Sequence, residues 1–239
     1  MGSWRHCHIL PPNYRRGMEK YRAVLFDMDG VIVDNHRFHE EAWIDFCKQY
    51  GIHLTAEDYK LRINGRTVTE VVQFVFSGRA QAITPAEVKQ YSEEKEAAYR
   101  ALYGPHLART HGLLPFLDRL KAANIPMAVG TSAPTANVEF TLDGLGIRHY
   151  FQSIIDENGV TKGKPEPEIY LKSAAALGIP AEDCLVIEDA LSGIKAGQNA
   201  GSGVLAMATT HTEEELRAVH PTGIAPDFTQ LVFEDWFDA

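Results

Sequence analysis

The sequence predicts an α/β protein in which a doubly wound parallel sheet carries an inserted all-helical domain. Four short apolar runs, each followed by turn-like or small polar residues, are typical of buried strands. They lie at residues 23–26, 127–129, 184–187 and 204–207. Helical patterns separate the runs, and strands that alternate with helices form parallel sheets with helices on both faces. Right-handed crossovers then bring every strand's carboxyl end to one edge, where such sheets bind ligands.

The helical patterns of the sheet domain lie at residues 113–123 and 167–177, where apolar residues recur at helical spacing. Gly178 follows the second pattern, and Gly201 follows another helical end. Glycine in that position commonly closes a helix C-terminus. The two glycines therefore mark predicted helix ends.

One interval, from residue 36 to about residue 106, contains helical patterns only. These patterns lie at residues 38–50, 67–76 and 85–103. The simplest interpretation is a helical cap domain, residues 35–107, inserted into a core domain of residues 18–34 and 108–239. An insertion over the active edge of a sheet can act as a lid.

Composition excludes several classes of function. A chain of 239 residues, 45% of them hydrophobic, can bury a sizeable core. Its formal charge of -9 comes from 32 acidic and 23 basic residues without a run of like charges, which argues against a nucleic-acid or acidic-membrane surface. No segment approaches the roughly 20 apolar residues of a membrane helix.

The cysteines and the N-terminal segment favour a cytoplasmic protein. Cys7, Cys47 and Cys184 are widely spaced and lack metal-site spacing, which argues against a disulfide framework or a zinc site. Residues 1–17 contain no apolar stretch of signal-peptide length. Because Met18 precedes the first patterned segment, we expect residues 1–17 to be a disordered extension, with a translation-start artefact as the alternative.

Two carboxylates follow the first predicted strand, in Asp27-Met28-Asp29-Gly30. A turn after Asp27, eased by Gly30, could bring both carboxyl groups into one pocket. The alternative is an ordinary solvated turn, in which Asp and Gly are common.

Polar residues also follow the other predicted strands. Gly130-Thr131-Ser132 offers hydroxyl and backbone N–H groups at a predicted helix start, which is a ready anion site. Glu188-Asp189 follows the third apolar run, and Lys164 lies in a loop before that run. Phosphoryl transfer requires a nucleophile, a hard cation held by carboxylates, and donors around the phosphoryl oxygens. The set of acid, hydroxyl, lysine and acid matches that requirement.

In these motifs the chain resembles the haloacid dehalogenase superfamily, from Tyr21 to about Asp227. Within it, the chain is similar to the helical-cap group that includes β-phosphoglucomutase and sugar-phosphate phosphatases. The motifs that carry the resemblance are Asp27-x-Asp29-Gly30, Thr131, Lys164 in Gly-Lys-Pro-Glu-Pro, and Glu188-Asp189. The resemblance implies a Rossmann-like core with an inserted helical cap.

The resemblance also implies a role for each matched residue. Asp27 would attack phosphorus and carry an aspartyl-phosphate, and Asp29 would act as acid and then as base. Mg²⁺ would be held by the carboxylates of Asp27 and Asp189 and by the backbone carbonyl of Asp29, with Glu188 in or beside the ligand set. Because dehalogenating members typically lack the partner acid, Asp29 argues against dehalogenation.

Thr131, Ser132 and Lys164 would hold the transferring phosphoryl group. In the cap, His39 and Trp43 lie four residues apart on one helical face and, with Lys95, resemble substrate-side residues of the β-phosphoglucomutase group. For His39 the alternative is a residue that only packs.

Departures from the mutase favour a phosphatase. Val68 stands where the mutase presents an arginine to a second phosphate. Arg66, two residues away, could substitute for that arginine and is the fourth candidate substrate residue of the cap. Ala133-Pro134-Thr135 stands where the mutase has polar Ser, Lys and Asn. Because a mutase must bind a bisphosphorylated intermediate in two orientations, losing these donors should weaken that intermediate.

We therefore expect a phosphatase that acts on a small phosphate ester, with sugar phosphates as the expected class. The alternatives are a phosphosugar mutase and, more remotely, a non-catalytic binding protein. The resemblance implies a monomer, because an inserted cap can close the site without a second chain.

Overall fold

The structure is a computed structural model that describes residues 20–63, 66–78 and 80–238. The extension expected at residues 1–17 lies outside the described residues. Two compact units are present: one contains the described residues up to Asp34 and from Ala108 onward, and the other is Asn35–Leu107.

The first unit contains a six-stranded parallel sheet with the order β3-β2-β1-β4-β5-β6. Its strands are β1 (Ala23–Phe26), β2 (Met127–Gly130), β3 (Ser153–Ile155), β4 (Cys184–Glu188), β5 (Gly203–Met207) and β6 (Gly223–Ala225). The predicted parallel sheet is confirmed, and its four predicted strands are β1, β2, β4 and β5. The edge strands β3 and β6 were missed because each has three residues, too few for a recognisable apolar run.

The helices fall into both units. They are α1 (His36–Gln49), α2 (Ala56–Asp58), α3 (Val68–Val75), α4 (Pro85–Tyr103), α5 (Leu113–Ala122), α6 (Thr135–Gly144), α7 (Glu168–Leu177), α8 (Leu191–Asn199) and α9 (Glu213–Ala218). A π-helical turn covers Tyr59–Ile63, directly after α2. Gly178 closes α7 in the left-handed conformation, and Gly201 has a positive φ after α8, so both predicted caps are present.

Alternate residues of β1 point to opposite faces of the sheet, and both faces are covered. Leu25 packs into a cluster with Ile169 of α7 and Ala196 of α8. Phe26 faces the other side, where its ring centre lies 6.3 Å from that of Phe116 in α5 and 6.4 Å from that of Phe228. Burial of β1 on both faces explains its continuous apolar run.

The chain order makes β1 the switch point of the sheet. From β1 the chain passes to β2 and β3 on one side and then returns to β4 on the other. Phe26 is in register with Ile187, so the residues that follow them leave the sheet side by side. Parallel α/β sheets bind ligands at such a switch point, beyond the carboxyl ends of the strands.

The second unit, Asn35–Leu107, has its own apolar core. Trp43 and Phe46 of α1 pack with Val72 of α3 and Tyr91 of α4. Threonine side chains cap the starts of α2, α3 and α4, each with an acidic residue three positions later that completes a capping box. The prediction that this unit acts as a lid stays a prediction.

Among residues 20–63, 66–78 and 80–238, none of the helices combines the length and the apolar character of a membrane span. The compartment stays a prediction from the sequence.

Candidate active site

The turn after β1 carries the first pair of acids. Gly30 adopts a φ of 79°, a left-handed conformation that glycine reaches without strain. Its N–H donates to the Val33 carbonyl at 2.7 Å, and the Ile32 N–H donates to the Met28 carbonyl at 2.8 Å. The turn therefore keeps buried Asp27 and half-buried Asp29 at the end of the strand.

Lys164 joins the ends of β1 and β4. Its Nζ donates to Asp27 Oδ1 at 2.7 Å and to Glu188 Oε1 at 2.6 Å. Its side chain is 8% exposed, so the ammonium is almost fully removed from water. A buried cation needs paired charges, and two carboxylates from neighbouring strands supply them here.

Glu188 accepts four hydrogen bonds. Besides Lys164, the Tyr170 hydroxyl donates to Oε1 at 2.9 Å. The backbone N–H groups of Asp189 and Ala190 donate to Oε2 at 2.8 Å and 2.9 Å. Both oxygens are thus engaged, which explains how a fully buried carboxylate is tolerated.

Two glycines leave the space that these acids occupy. A Cβ atom on Gly193, in the first turns of α8, would overlap the Glu188 carboxylate. A Cβ atom on Gly30 would overlap the Asp189 carboxylate. At both positions the glycine backbone lies against a carboxylate, in space that the Cβ atom of any other residue would fill.

Asp189 is buried and accepts a hydrogen bond from the Thr210 hydroxyl to Oδ2. The neighbouring Thr209 hydroxyl donates to the Gly30 carbonyl at 2.6 Å. Both threonines follow β5, a strand after which the sequence motifs predicted no functional residue. Their position just beyond a predicted strand is the signal that could have revealed them.

Tyr170 was also missed as a site residue. Its place beside Ile169 in an apolar helical pattern indicated a core residue, and it is indeed fully buried. Its hydroxyl nevertheless reaches Glu188, and its ring centre lies 5.1 Å from Lys164 Nζ. Only the packing of α7 over the sheet brings this group to the site.

Burial controls the electrostatics of the cluster. It raises the pKa of Asp27 to about 7, although Lys164 acts in the opposite direction. Burial, together with the Glu188 and Asp27 carboxylates, also raises the pKa of Asp189 well above its ordinary value. Burial alone would lower the pKa of Lys164, but Asp27 and Glu188 raise it well above the ordinary value, so this lysine stays charged.

Thr131 and Ser132 lie at the end of β2, beside β1. The Thr131 side chain is buried, and its Oγ1 accepts from the Ala133 N–H at 3.1 Å. Ser132 is half-buried. The structure therefore places a hydroxyl pair at the same sheet edge as Asp27.

Comparison with known proteins gives the family. Residues 21–201 match the family model described as haloacid dehalogenase-like hydrolase. The chain belongs to the haloacid dehalogenase-like hydrolase family. The resemblance inferred from the four motifs is thereby confirmed, as is the prediction of a hydrolase-family enzyme.

Individual relatives include both kinds of enzyme that the sequence suggested. Fructose-1-phosphate phosphatase YqaB of Escherichia coli is 32% identical over 77% of this chain and 94% of its own length. β-Phosphoglucomutase of Bacillus subtilis is 31% identical over 90% of this chain and 95% of its own length. A crystal structure of a HAD hydrolase, family IA, variant 3, from Entamoeba histolytica is 30% identical, with a TM-score of 0.82 over 92% of this chain and 97% of that one.

The acidic cluster of this haloacid dehalogenase-like hydrolase fits a divalent cation. Oxygens of Asp27, Glu188 and Asp189 lie within 4.8 Å of one another. If all three ionise, they and Lys164 leave two negative charges, the charge that one divalent cation balances. Because Glu188 is already engaged by four donors, Asp27 and Asp189 are the better placed ligands.

The helical unit of Asn35–Leu107 brings together three of its four predicted substrate residues. Lys95 Nζ lies 2.8 Å from His39 Nδ1, 2.8 Å from Glu96 Oε1 and 5.0 Å from the centre of the Trp43 ring. Desolvation of the imidazole and the adjacent Lys95 lower the pKa of His39 to about 3, so the ring is neutral. A neutral imidazole supports the alternative in which His39 only packs. A substrate role for His39 stays a prediction.

Arg66, the fourth predicted substrate residue, is not part of this group. It is exposed, and its guanidinium carbon lies 5.6 Å from the centre of the Phe74 ring. A contact of this kind stabilises an exposed arginine only modestly.

Gly193 of α8 gives a prediction that is opposite in sign to the effect expected from helix propensity. In an open helix, Gly→Ala stabilises by about 1 kcal/mol. We expect Gly193→Ala instead to lower the free energy of unfolding by more than about 2 kcal/mol, because the new methyl displaces Glu188 from its donors. Urea denaturation followed by circular dichroism measures the change.

Gly78→Ala, in the turn after α3, is the control for the added methyl group, since a Cβ atom at Gly78 meets no neighbour within 4 Å. It should change the free energy of unfolding by less than about 0.5 kcal/mol. A Gly193→Ala protein as stable as the parent would show that the Glu188 network does not depend on this space.

Proposed function

We propose that the chain is a Mg²⁺-dependent phosphatase of small phosphorylated metabolites, with sugar phosphates as the expected class. The observation that carries the proposal is the buried group of Asp27, Lys164, Glu188 and Asp189 at the switch point of the sheet. Phosphatases among the relatives support it. A monomer remains the expected state, on the resemblance to single-cap members of the family.

Mg²⁺ fits the donor set because it prefers carboxylate, carbonyl and water oxygens. The carboxylates of Asp27 and Asp189 and the backbone carbonyl of Asp29 would hold it. When bound, the cation would supply positive charge beside the phosphoryl oxygens.

In the proposed mechanism, the chain's own residues carry out two successive displacements at phosphorus. A carboxylate oxygen of Asp27 forms a bond to phosphorus while the bond from phosphorus to the leaving oxygen breaks, and Asp29 gives that oxygen its proton. Asp29 next takes a proton from a water molecule, whose oxygen attacks phosphorus and releases Asp27. Lys164, held by Asp27 and Glu188, would offset the negative charge of the phosphoryl group, and Thr131 and Ser132 would donate to its oxygens.

The surroundings of Thr135 favour the phosphatase over the mutase. Ala133 and Pro134 offer no side-chain donor, and the Thr135 hydroxyl donates to Asp156 Oδ2. The Asn158 amide donates to Thr135 Oγ1 at 3.2 Å. A second phosphate would need hydrogen-bond donors here. The chain instead has the Thr135 hydroxyl, which is already bonded, and the Asp156 carboxylate.

Asp156 follows β3, which pairs with β2, which in turn pairs with β1. Two strand spacings correspond to roughly 10 Å between the ends of β3 and β1. A second phosphate at that distance from the nucleophile would meet the charge of Asp156. Sequence identity does not decide the question, because a phosphatase and a mutase are similarly related to the chain.

The decisive assay incubates the pure protein and Mg²⁺ with a panel of sugar and polyol phosphates, and follows free phosphate and isomerised product separately. We expect free phosphate to form. Asp27→Asn should reduce its formation by roughly 10³-fold or more, because the amide cannot act as the nucleophile. Isomerised sugar phosphate with negligible free phosphate would favour the mutase, and an Asp27→Asn protein as active as the parent would overturn the covalent mechanism.

Asp156 gives a second prediction. Replacing Asp156 by Asn removes one negative charge, so inhibition by a sugar bisphosphate should tighten by about fivefold, while the KM for the monophosphate should change by less than twofold. Inhibition constants measured with both ligands test this. Glu182→Gln is the charge-matched control, since exposed Glu182 lies before β4, at the opposite edge of the sheet. Equal effects of the two substitutions would contradict a local role for Asp156.

The raised pKa of Asp27 predicts how Mg²⁺ stabilisation depends on pH. Because this pKa rises from 3.8 to about 7 on folding, the protonated carboxyl stabilises the metal-free fold fully below pH 4, and this contribution is lost as the pH rises through 7. Mg²⁺ requires the carboxylate form, so it should raise Tm more at pH 8 than at pH 5.5.

Thermal unfolding with Mg²⁺ and with EDTA, at constant ionic strength, measures this difference. Asp189→Asn should remove most of the Mg²⁺-induced shift at both pH values. An equal shift of the parent at pH 5.5 and pH 8 would contradict the coupling between proton and metal.

A further inference from the structure

The segment after β5 reaches the site although it contributes no acid or base to it. The Thr210 hydroxyl donates to Asp189 Oδ2, and the Thr209 hydroxyl donates to the Gly30 carbonyl at 2.6 Å. Two successive side chains thus bond to the loops after β4 and β1. Both loops carry proposed Mg²⁺ ligands.

Asp189 is held on several sides. Its N–H donates to Glu188 Oε2 at 2.8 Å, which fixes the backbone. Its carboxylate lies against the backbone of Gly30, where a Cβ atom would overlap it. Rotation about the bond to an aspartate carboxyl group is otherwise broad. The Thr210 hydroxyl donates to Oδ2 and thereby distinguishes this oxygen from Oδ1.

Helix capping does not account for this hydroxyl. The residue that caps α9 is Thr212, whose side chain accepts from the Glu215 N–H at 3.3 Å. Thr210 lies two residues earlier, is half-buried, and directs its hydroxyl to Asp189. Its side chain thus serves the acid rather than the helix.

We infer that Thr210 is a positioning residue for the metal ligand Asp189. By bonding to Oδ2, it leaves Oδ1 as the oxygen presented to the cation and sets the direction of that oxygen. Outer hydrogen-bond partners of metal ligands typically contribute 10-fold to 100-fold in metal affinity. The inference rests on the proposed function only in taking Asp189 as a Mg²⁺ ligand.

The test measures Mg²⁺ binding by isothermal titration calorimetry without substrate. Thr210→Val keeps the shape of the side chain and removes the donor, so the dissociation constant for Mg²⁺ should rise about tenfold or more. Thr210→Ser restores the hydroxyl and should bind within about twofold of the parent. At saturating Mg²⁺ the KM of the Val variant for a phosphate ester should change by less than twofold.

Thr229→Val is the matched control, because the exposed Thr229 hydroxyl also donates to an aspartate, Asp227. It should leave the Mg²⁺ dissociation constant unchanged. Unfolding temperatures in EDTA report whether each variant is folded, and Thr210→Ala replaces the Val variant if that protein does not fold.

The outcomes separate this inference from the proposed function. Weaker Mg²⁺ binding by Thr210→Val, with recovery in Thr210→Ser, supports the inference. Unchanged binding by the Val or Ala variant overturns it, even if Asp189→Asn abolishes binding. Unchanged binding by Asp189→Asn overturns both the inference and the proposed metal site.

Discussion

The site depends on one buried lysine that is shared by two carboxylates. Lys164 bonds to Asp27 at the end of β1 and to Glu188 at the end of β4, and the three side chains are almost completely buried. Removing Lys164 would leave two buried carboxylates without their cation in a low-dielectric interior, which is far more costly than losing an exposed ion pair. The adjacency of β1 and β4 at the switch point is what allows a single loop residue to reach both.

Uncharged groups of the fold complete the hydrogen bonding of the buried carboxylates. Tyr170 and two backbone N–H groups complete the bonding of Glu188, and Thr210 bonds to Asp189. These hydrogen bonds hold the side chains in place, although the ionised cluster carries a net negative charge. Burial, and after it the neighbouring carboxylates, raise the pKa values of Asp27 and Asp189, which is the condition that a bound divalent cation would relieve.

The helical unit, Asn35–Leu107, also buries a lysine, but it pairs that lysine with a single carboxylate. Lys95 is buried and pairs with Glu96, while neutral His39 and the face of Trp43 surround the ammonium. The charges of this group balance within its own unit. A residue type that suggests phosphate binding in the sequence can therefore equally complete an internal ion pair, and only the contacts distinguish the two.

The sequence predicted the parts of the fold and site that leave a local signal. The strands β1, β2, β4 and β5 are visible as apolar runs, and the acids beyond β1 and β4 stand out because parallel strands end at one edge. Tyr170 could not be separated from core residues, because an apolar helical pattern predicts burial but not where a hydroxyl is directed. The need for glycine at position 193 depends on how closely α8 approaches Glu188, a distance that no sequence pattern contains.

In the proposed function, the groups that favour hydrolysis over isomerisation lie outside the cluster around Lys164. In the proposed mechanism, Asp27, Asp29 and Lys164 would serve the attack on phosphorus in the same way whether water or a sugar hydroxyl receives the phosphoryl group. What differs is the charge beyond β2 and β3, where the Thr135 hydroxyl is bonded to the Asp156 carboxylate. In the proposal, the second phosphate of a bisphosphorylated intermediate would lie near that carboxylate, whereas water brings no charge. Under the proposed function, the electrostatics of this neighbouring edge would therefore favour water as the acceptor without any change in the residues proposed to perform the chemistry.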